Sequence, residues 1–233
     1  MIEAEWWEYD SLDELADAVA GDVGFIVESA VDARNASLIA VPGGRTGPAI
    51  FPKLVAQNLP WKRVTIIPTD DRLVPMDDER SNVRAIGKAF IPAGARVIPI
   101  ATEIADYKLA GNSADARLQD LPWPPDLVWL GMGADGHTAS IFAGPDLEAA
   151  LDAPKARRAI GVMPDPLPAE APVPRVTLTR AAILAARTIL ITITGQEKRD
   201  VLEQAIAAGH SSKLPIGRVL AEAEQPIDIH WCP

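Results

Sequence analysis

The segment that decides the fold of this chain is Asp126-Leu-Val-Trp-Leu-Gly-Met-Gly-Ala-Asp-Gly-His137. Its first half is an apolar run, which is typical of a strand covered on both faces of a sheet. Its second half is a glycine-rich turn that ends in polar side chains. Comparable apolar runs occupy residues 37–41, 64–68 and 188–193, and segments with the apolar spacing of helices lie between them. This alternation predicts an α/β fold with a mostly parallel open sheet and helices on both faces.

The remaining elements continue the same alternation along the chain. Further strands are predicted at residues 97–100, 159–162, 175–179 and 227–231. Helices are predicted over residues 11–33, 103–119 and 196–208, from the glycine pair at 43–44 to about residue 59, and from about residue 82. Ser11 and Glu14 form a capping box that opens the first helix. A proline-rich stretch at residues 163–174 is expected to be a surface connection, and the length fits one domain over residues 1–233.

Composition and charge exclude several classes of protein. With 48% hydrophobic residues the chain can build a large core, and no apolar run approaches the roughly 20 residues of a membrane helix. The net charge is −10, from 22 Lys and Arg against 32 Asp and Glu. Nonspecific binding to nucleic acid needs a basic surface. Neither nucleic acid nor a membrane is therefore an expected partner.

Cysteine usage and the first residues indicate a reducing compartment. Cys232 is the single cysteine, which excludes an internal disulfide and a cysteine-rich zinc site. The first ten residues are acidic and lack the basic segment and apolar stretch of a secretory signal. We therefore expect a soluble protein of a reducing compartment.

Ligands of open α/β sheets bind outside the carboxyl ends of the strands, and three loops are expected there. The first contains Gly43, Gly44, Arg45 and Thr46 before a helix, where backbone and side-chain donors could cradle a phosphate. It lacks the Gly-Lys-Ser/Thr ending of a P-loop, and the alternative is a tight turn without function.

The second loop, residues 69–82, begins with Asp70 and Asp71 directly after a predicted buried strand. A carboxylate at this place could do acid–base work. The acidic residues at 77–79 are expected to be a solvated part of the loop. A magnesium site built from carboxylates alone is conceivable, but it is not the interpretation that the sequence favours.

The third loop fits the dinucleotide pattern G-x-G-x-x-G at residues 131–136, but the acidic residue expected about 20 positions later is missing. Asp135 and His137 are instead predicted to point outward at the end of the strand. Histidine titrates close to neutral pH, so His137 is a candidate general base, the alternative being a loop histidine without function. His210 and His230 are expected at the surface or at a sheet edge.

The sequence also lacks the motifs of covalent and zinc-dependent hydrolases. It has no G-x-S-x-G elbow and no H-E-x-x-H motif, and Cys232 lies too near the C-terminus to be a convincing nucleophile. If the protein is a hydrolase, direct attack by an activated water is the mechanism that remains.

Taken in order, these loops resemble the 6-phosphogluconolactonase family, a sister group of the glucosamine-6-phosphate deaminases. The stretches that carry the resemblance are Pro42-Gly-Gly-Arg-Thr46, Asp70-Asp-Arg-Leu-Val-Pro75 with Ser81-Asn82, Leu130-Gly-Met-Gly-Ala-Asp-Gly-His-Thr-Ala-Ser140, Arg175-Val-Thr-Leu-Thr179 and Gly195-x-x-Lys198. They span most of the chain. The stretch around His137 is the most specific of them.

The resemblance implies a Rossmann-like cytosolic enzyme of the pentose phosphate pathway that hydrolyses 6-phospho-D-glucono-1,5-lactone without metal or cofactor. His137 would activate water beside Asp135, with Asp70 as a further candidate for the chemistry. Arg72 and Asn82 would line the sugar site. Arg175 and Lys198 would bind the phosphate together with the loop of Gly43, Gly44, Arg45 and Thr46. The partner would be a small sugar-phosphate lactone, and the protein a monomer or a small homo-oligomer.

The chain departs from the family pattern in two of these stretches. Arg45-Thr46-Gly47 stands where the family usually has Ser-Thr-Pro, which alters the phosphate loop. Asp71 stands where the family usually has Glu, which shortens a carboxylate by one methylene. The second change should be mild if Asp71 only supports Arg72.

Two other functions remain open from the sequence. A glucosamine-6-phosphate deaminase would share the fold but would need a carboxylate base, for which Asp70 is available. A sugar-phosphate-sensing domain without catalysis would usually accompany a DNA-binding segment, and this chain has no basic helix-turn-helix portion. Turnover of the lactone against glucosamine 6-phosphate would separate the three.

Overall fold

The structure is a computed structural model that describes residues 2–101 and 103–233. The strands in these ranges are β1 (Ala4–Glu8), β2 (Ser37–Val41), β3 (Val64–Pro68), β4 (Asp70–Arg72), β5 (Arg96–Val97), β6 (Leu127–Leu130), β7 (Ala159–Val162), β8 (Arg175–Leu178), β9 (Thr188–Thr194) and β10 (Ile227–Cys232). The α-helices are α1 (Leu12–Arg34), α2 (Thr46–Val55), α3 (Asn82–Phe90), α4 (Tyr107–Gln119), α5 (Leu147–Leu151), α6 (Arg180–Leu184), α7 (Gln196–Ala208) and α8 (Pro215–Leu220).

The main sheet has, over the described ranges, seven strands in the order β1-β10-β9-β6-β2-β3-β5, and every neighbouring pair is parallel. From β2 the chain proceeds outward through β3 to β5. From β6 it proceeds to the opposite side of β2, through β9 to β10. The strand order therefore reverses between β2 and β6, which is where an open α/β sheet forms its ligand crevice.

Both faces of the main sheet are covered, as the apolar runs predicted. Ile39 and Trp129 belong to the apolar cluster on the side of α1, α2 and α3. Leu38 and Leu130, which alternate with them along β2 and β6, belong to the cluster on the side of α4, α7 and α8. All four side chains are almost fully buried. The predicted α/β fold with a parallel sheet and helices on both faces is confirmed.

A second sheet, antiparallel and of three strands in the described residues, has the order β4-β8-β7. Thr69 joins it to the end of β3, because its backbone N–H donates to Val41 O at 3.0 Å and its carbonyl accepts from Leu178 N at 2.9 Å. Asp70–Arg72 was expected to be loop and is strand β4. The strands predicted at 159–162 and 175–179 exist but pair in this sheet, outside the parallel one.

Several predicted boundaries shift. The helix expected over 103–119 begins at Tyr107, where the Asp106 side chain accepts from the backbone N–H groups of Lys108 and Leu109. The helix expected to reach residue 59 ends at Val55. Strand β1, an edge strand that pairs with β10, was not predicted from the sequence. Among the helices that the structure describes, none is both long and apolar enough to cross a membrane.

Candidate active site

The three predicted loops meet at the carboxyl edge of the main sheet. The loop with Gly43 and Gly44 follows β2 and the loop with His137 follows β6, so they flank the point where the strand order reverses. Asp70 follows β3, and Lys198 lies in the first turn of α7 after β9. The second sheet adds side chains from β4 and β8 to the same edge.

His137 and Asp135 form a close pair in the loop after β6. His137 Nδ1 lies 2.5 Å from Asp135 Oδ1, which also accepts from the His137 backbone N–H at 3.2 Å. Burial raises the pKa of Asp135, but the hydrogen bond and the positive charge of His137 outweigh it and hold that pKa below its usual value. Because Nδ1 faces the carboxylate, Nε2 is the ring nitrogen left to accept a proton from a ligand. The arrangement suits a general base.

Glycine leaves the space that this pair occupies. A Cβ built at Gly133 would lie 2.3 Å from His137 Cε1 and Nδ1 and 2.6 Å from Asp135 Oδ1. Gly136 has φ +77°, and a Cβ there would lie 2.9 Å from Leu214. The glycines of this G-x-G-x-x-G stretch thus accommodate a turn and an imidazole.

Arg72 and Arg175 stand directly opposite each other in the antiparallel pair of β4 and β8. Arg175 is only 2% exposed, and burial lowers its pKa from the usual value. Neither Arg72 Nε nor Arg175 Nε has a hydrogen-bond partner among the residues that the structure describes. Like charges directly across a sheet destabilise it. An anionic ligand between the two guanidinium groups would relieve this repulsion.

Asp70 lies inside the structure at the end of β3 and is 6% exposed. Its Oδ2 accepts from Ser140 Oγ at 2.6 Å, and its Oδ1 accepts from Thr69 Oγ1 at 3.2 Å. Its negative charge also acts on Arg175 and raises the pKa of that arginine against the effect of burial. Asp70 therefore connects the end of β3 to the loop that carries His137. A direct chemical role for Asp70 stays a prediction.

The carboxylate of Asp71 accepts hydrogen bonds at the N-terminus of α3. Its Oδ1 accepts from the backbone N–H of Asn82 at 2.7 Å and its Oδ2 accepts from that of Val83 at 3.1 Å. Burial raises the pKa of Asp71 to about 6, against the effect of these hydrogen bonds. Asp71 also accepts from the Arg72 backbone N–H at 2.8 Å, in keeping with the supporting role that the sequence analysis considered.

Asn82 fastens α3 to the glycine loop after β2. Its Nδ2 donates to Asp70 O at 2.8 Å, and a Cβ at Gly43 would lie 1.9 Å from its Oδ1. Gly43 is therefore required for the close approach of the carboxamide. This placement gives Asn82 a structural task, and its contact with a sugar stays a prediction.

Lys198, in the first turn of α7, and Arg45, in the loop after β2, lie near enough for their charges to interact. Lys198 is half-buried; burial lowers its pKa, and the positive charge of Arg45 lowers it further. The negative charge of Asp135 acts on Lys198 in the opposite direction. Arg45 itself is exposed and Thr46 begins α2. Two predicted phosphate-binding side chains, Lys198 and Arg45, and the partner of the predicted base, Asp135, thus lie at the same edge of the sheet.

Two residues of this region were missed by the sequence analysis, Ser140 and Phe142. Ser140 binds Asp70, and Phe142 stacks on the imidazole of His137 with ring centroids 4.2 Å apart. Both lie within five residues of His137, so proximity in sequence was the available signal. In residues 2–101 and 103–233 no cluster of three His, Cys, Asp or Glu side chains could hold a metal ion.

The expectation for His230 was wrong. This side chain is 1% exposed and lies between β1 and α1, where Tyr9 Oη is 2.9 Å from its Nδ1. Its strand is covered by β1, which the sequence analysis missed, so His230 lies at neither the surface nor the sheet edge. His210 is exposed, as expected.

Fold and site together define a doubly wound α/β protein with cationic side chains at its switch point. The profile of the family described as glucosamine-6-phosphate isomerases/6-phosphogluconolactonase matches residues 10–231. A 6-phosphogluconolactonase from Rhizobium meliloti is 37% identical, with 97% of each chain covered. One from Pseudomonas aeruginosa is 34% identical over 97% of this chain and 93% of that protein. A crystal structure of a 6-phosphogluconolactonase from Shewanella baltica superposes with a TM-score of 0.91 at 30% identity, covering all of both chains.

The chain belongs to this family of glucosamine-6-phosphate isomerases and 6-phosphogluconolactonases. The family membership that the loop motifs predicted is therefore confirmed.

Proposed function

We propose that this chain is a 6-phosphogluconolactonase, a hydrolase that converts 6-phospho-D-glucono-1,5-lactone to 6-phospho-D-gluconate. The observation that carries the proposal is the pair of His137 and Asp135 at the switch point, with cationic side chains around it. Relatives of nearly full coverage support the lactonase branch of the family, since they are 6-phosphogluconolactonases.

The proposed chemistry needs one base and no covalent intermediate. His137 Nε2 takes a proton from a water molecule whose oxygen forms a bond to C1 of the lactone. Asp135 stabilises the imidazolium that results. Backbone N–H groups of a glycine loop would stabilise the oxyanion that develops. When the tetrahedral intermediate collapses, the bond from C1 to the ring oxygen breaks, and His137 returns its proton to that oxygen.

The phosphate of the substrate is remote from C1 and orients the ring. Arg175 and Lys198 bind it together with Gly43, Gly44, Arg45 and Thr46, while Arg72 and Asn82 line the sugar. These groups act on a charge that is present in both the ground state and the transition state. Their binding energy therefore positions the lactone against His137 and does not itself lower the chemical barrier.

The cellular setting of this activity is also a proposal. The enzyme works as one domain over residues 1–233 in the oxidative pentose phosphate pathway of the cytoplasm, as a monomer or a small homo-oligomer. It needs no metal and no cofactor, because an activated ester with a positioned water requires neither. Nucleic acid and membranes are not among its partners.

The deaminase alternative needs an accessible carboxylate base, and the environment of Asp70 disfavours it. Asp70 is 6% exposed, with both oxygens engaged by hydroxyl groups. The test is a turnover assay with the lactone and, separately, with glucosamine 6-phosphate, corrected for spontaneous lactone hydrolysis. Turnover of the lactone alone supports the proposal. Turnover of the amino sugar alone, or of neither compound, would favour the deaminase or the non-catalytic binding domain.

A further inference from the structure

Phe142 packs its ring against the face of the His137 imidazole. The two ring centroids are 4.2 Å apart and the ring planes are inclined by 24°. The imidazole is thus held at one edge by Asp135 and on one face by Phe142. Offset stacking of this kind is a favourable aromatic geometry.

The backbone that carries Phe142 is fixed on both sides of a sharp reversal. Ala139 adopts φ +48°, a conformation that is uncommon for a residue with a side chain and that persists where its surroundings determine it. Ile141 N donates to Thr138 O at 2.9 Å, and Thr138 Oγ1 donates to Gly131 O at 2.8 Å. Because of these contacts, the segment after Thr138 folds back over the glycine-rich turn, and Phe142 lies on His137.

Ser140 anchors the same reversal to two other elements. Its backbone N–H donates to Thr177 Oγ1 in β8 at 3.1 Å, and its Oγ donates to Asp70 after β3 at 2.6 Å. The side chain of the next residue, Ile141, is 1% exposed and belongs to the core. The position of the Phe142 backbone is therefore set by the end of β3, by β8 and by the core together.

The ring of Phe142 also lies near the buried cation of β8. The guanidinium carbon of Arg175 is 5.1 Å from the ring centroid, within the range of a cation–π contact. One aromatic ring thus touches both His137 and Arg175. It lies between the proposed base and a cation proposed to bind the phosphate.

We infer that Phe142 is a positioning residue that keeps Nε2 of His137 directed into the crevice. This inference rests on the proposed function. A single bond to Asp135 leaves the imidazole free to tilt about that contact, and the flat face of Phe142 removes this freedom. The negative face of an aromatic ring also favours a positive charge, so the ring stabilises the imidazolium that forms as water is deprotonated.

The test compares Phe142→Leu with Phe142→Tyr. Leucine keeps apolar bulk but has no ring face, whereas tyrosine keeps the ring. Phe142→Leu should lower kcat by roughly 3- to 10-fold with KM within about twofold, because an aromatic contact of this kind contributes an amount that converts to such a factor. Phe142→Tyr should restore most of kcat. Phe25→Leu on α1 is the matched control, since that ring is 72% exposed.

A second measurement reports on the stacking without using activity. The ring current of Phe142 should shift the carbon-bound imidazole protons of His137 upfield in an NMR spectrum. With three histidines in the chain, the His137 signal is the one lost in His137→Asn. Phe142→Leu should move this signal toward the position of an exposed histidine, and Phe142→Tyr should leave it near that of the wild type.

The outcomes separate this inference from the proposed function. If Phe142→Leu keeps wild-type kcat, or raises KM alone, Phe142 does not position the base, although the lactonase proposal stands. The same holds if the imidazole signal stays in place. If the wild type does not turn over the lactone, or His137→Asn does so at the wild-type rate, the mechanism that this inference rests on is itself wrong.

Discussion

His137 and His230 have similar partners and opposite surroundings. Each imidazole stacks on an aromatic ring, Phe142 for His137 and Tyr9 for His230. Each also has a carboxylate nearby, since Asp135 Oδ1 lies 2.5 Å from His137 Nδ1 and Asp22 Oδ2 lies 3.5 Å from His230 Nε2. A histidine with an acid and an aromatic neighbour therefore occurs twice in this fold.

The difference between the two lies in access and in charge. His230 is buried between β1 and α1, and burial lowers its pKa to about 4. His137 lies on a loop at the switch point, in a region that also contains Arg175 and Lys198. The position at the carboxyl edge and the cationic neighbours therefore define the site, since a histidine with a carboxylate also occurs in the core.

The largest effect is expected when the two histidines are replaced in separate variants. We expect His137→Asn to lower kcat by roughly 10²- to 10⁴-fold with a modest change in KM, because it removes the base that acts in the transition state. His230→Phe should leave kcat within about twofold of the wild type. Steady-state assays of the lactone, with spontaneous hydrolysis subtracted, measure both. Near-wild-type kcat in His137→Asn would show that His137 is not the base.

The cations around His137 should affect binding more than chemistry. We expect Arg175→Met and Lys198→Met to raise KM by roughly 10- to 100-fold with kcat little changed, because each loses a charged hydrogen bond to the phosphate. The control is Arg199→Met, next to Lys198 but paired with Glu8 and Glu203.

The free energy of unfolding provides a second test of Arg175. Arg175→Met removes the buried member of two opposed like charges, the other being the partly exposed Arg72. The free energy of unfolding of this variant without ligand should therefore not fall below that of the wild type. Urea unfolding measures this. A marked loss of stability would mean that the charge of Arg175 is compensated within the fold.

His230 should make the fold sensitive to acid. Its pKa is about 4 in the folded protein against 6.5 as an ordinary value, so only the unfolded chain binds a proton between these pH values. Stability is therefore fully present above about pH 6.5 and falls as the pH drops toward 4. From about pH 7.5 to about pH 5 this histidine should cost about 2 kcal/mol of unfolding free energy.

The variant that tests this is again His230→Phe. Its free energy of unfolding should fall less between the two pH values than that of the wild type, by about 2 kcal/mol in urea titrations. His210→Phe, which replaces an exposed histidine, should keep the wild-type dependence. Equal pH dependence in His230→Phe and the wild type would show that the pKa of His230 in the folded protein is the same as in the unfolded chain.

The smallest effect is expected at Arg45, which departs from the family pattern. Arg45 is exposed, so a contact with phosphate through it should contribute little at physiological salt. We expect Arg45→Ser to raise KM by up to about fivefold and to weaken the dependence of kcat/KM on salt. Kinetics at low and high salt that match the wild type would show that Arg45 does not contact the phosphate.

The parallel sheet could be predicted because its central strands are apolar on both faces. Residues 37–41 and 126–130 are the clearest of these apolar runs. The strand Asp70–Arg72 could not be predicted, because its three side chains are polar and show no apolar strand pattern. It is a strand only because its backbone pairs with β8. The burial of His230 could not be predicted either, since it depends on a strand more than 200 residues earlier in the chain.

The site was predictable where its residues are neighbours in sequence. Asp135 and His137 are two residues apart, and their hydrogen bond follows from one turn. The opposition of Arg72 and Arg175 depends on the register of two strands about 100 residues apart, which no local pattern determines. The stacking of Phe142 likewise depends on a chain reversal at Ala139, where alanine gives no sign of a left-handed conformation.

Gly133 is important to the site because it has no side chain, and His137 and Asp135 occupy the space that a Cβ would fill. The same letters, G-x-G-x-x-G, mark dinucleotide-binding turns, where the second glycine lets backbone approach a pyrophosphate. Here that glycine lets a histidine and an aspartate of its own loop fold back onto the backbone. A single added methyl group would displace the imidazole while leaving both of those residues unchanged in the sequence. Inactivity in a relative with an intact His-Asp pair can therefore originate at this glycine.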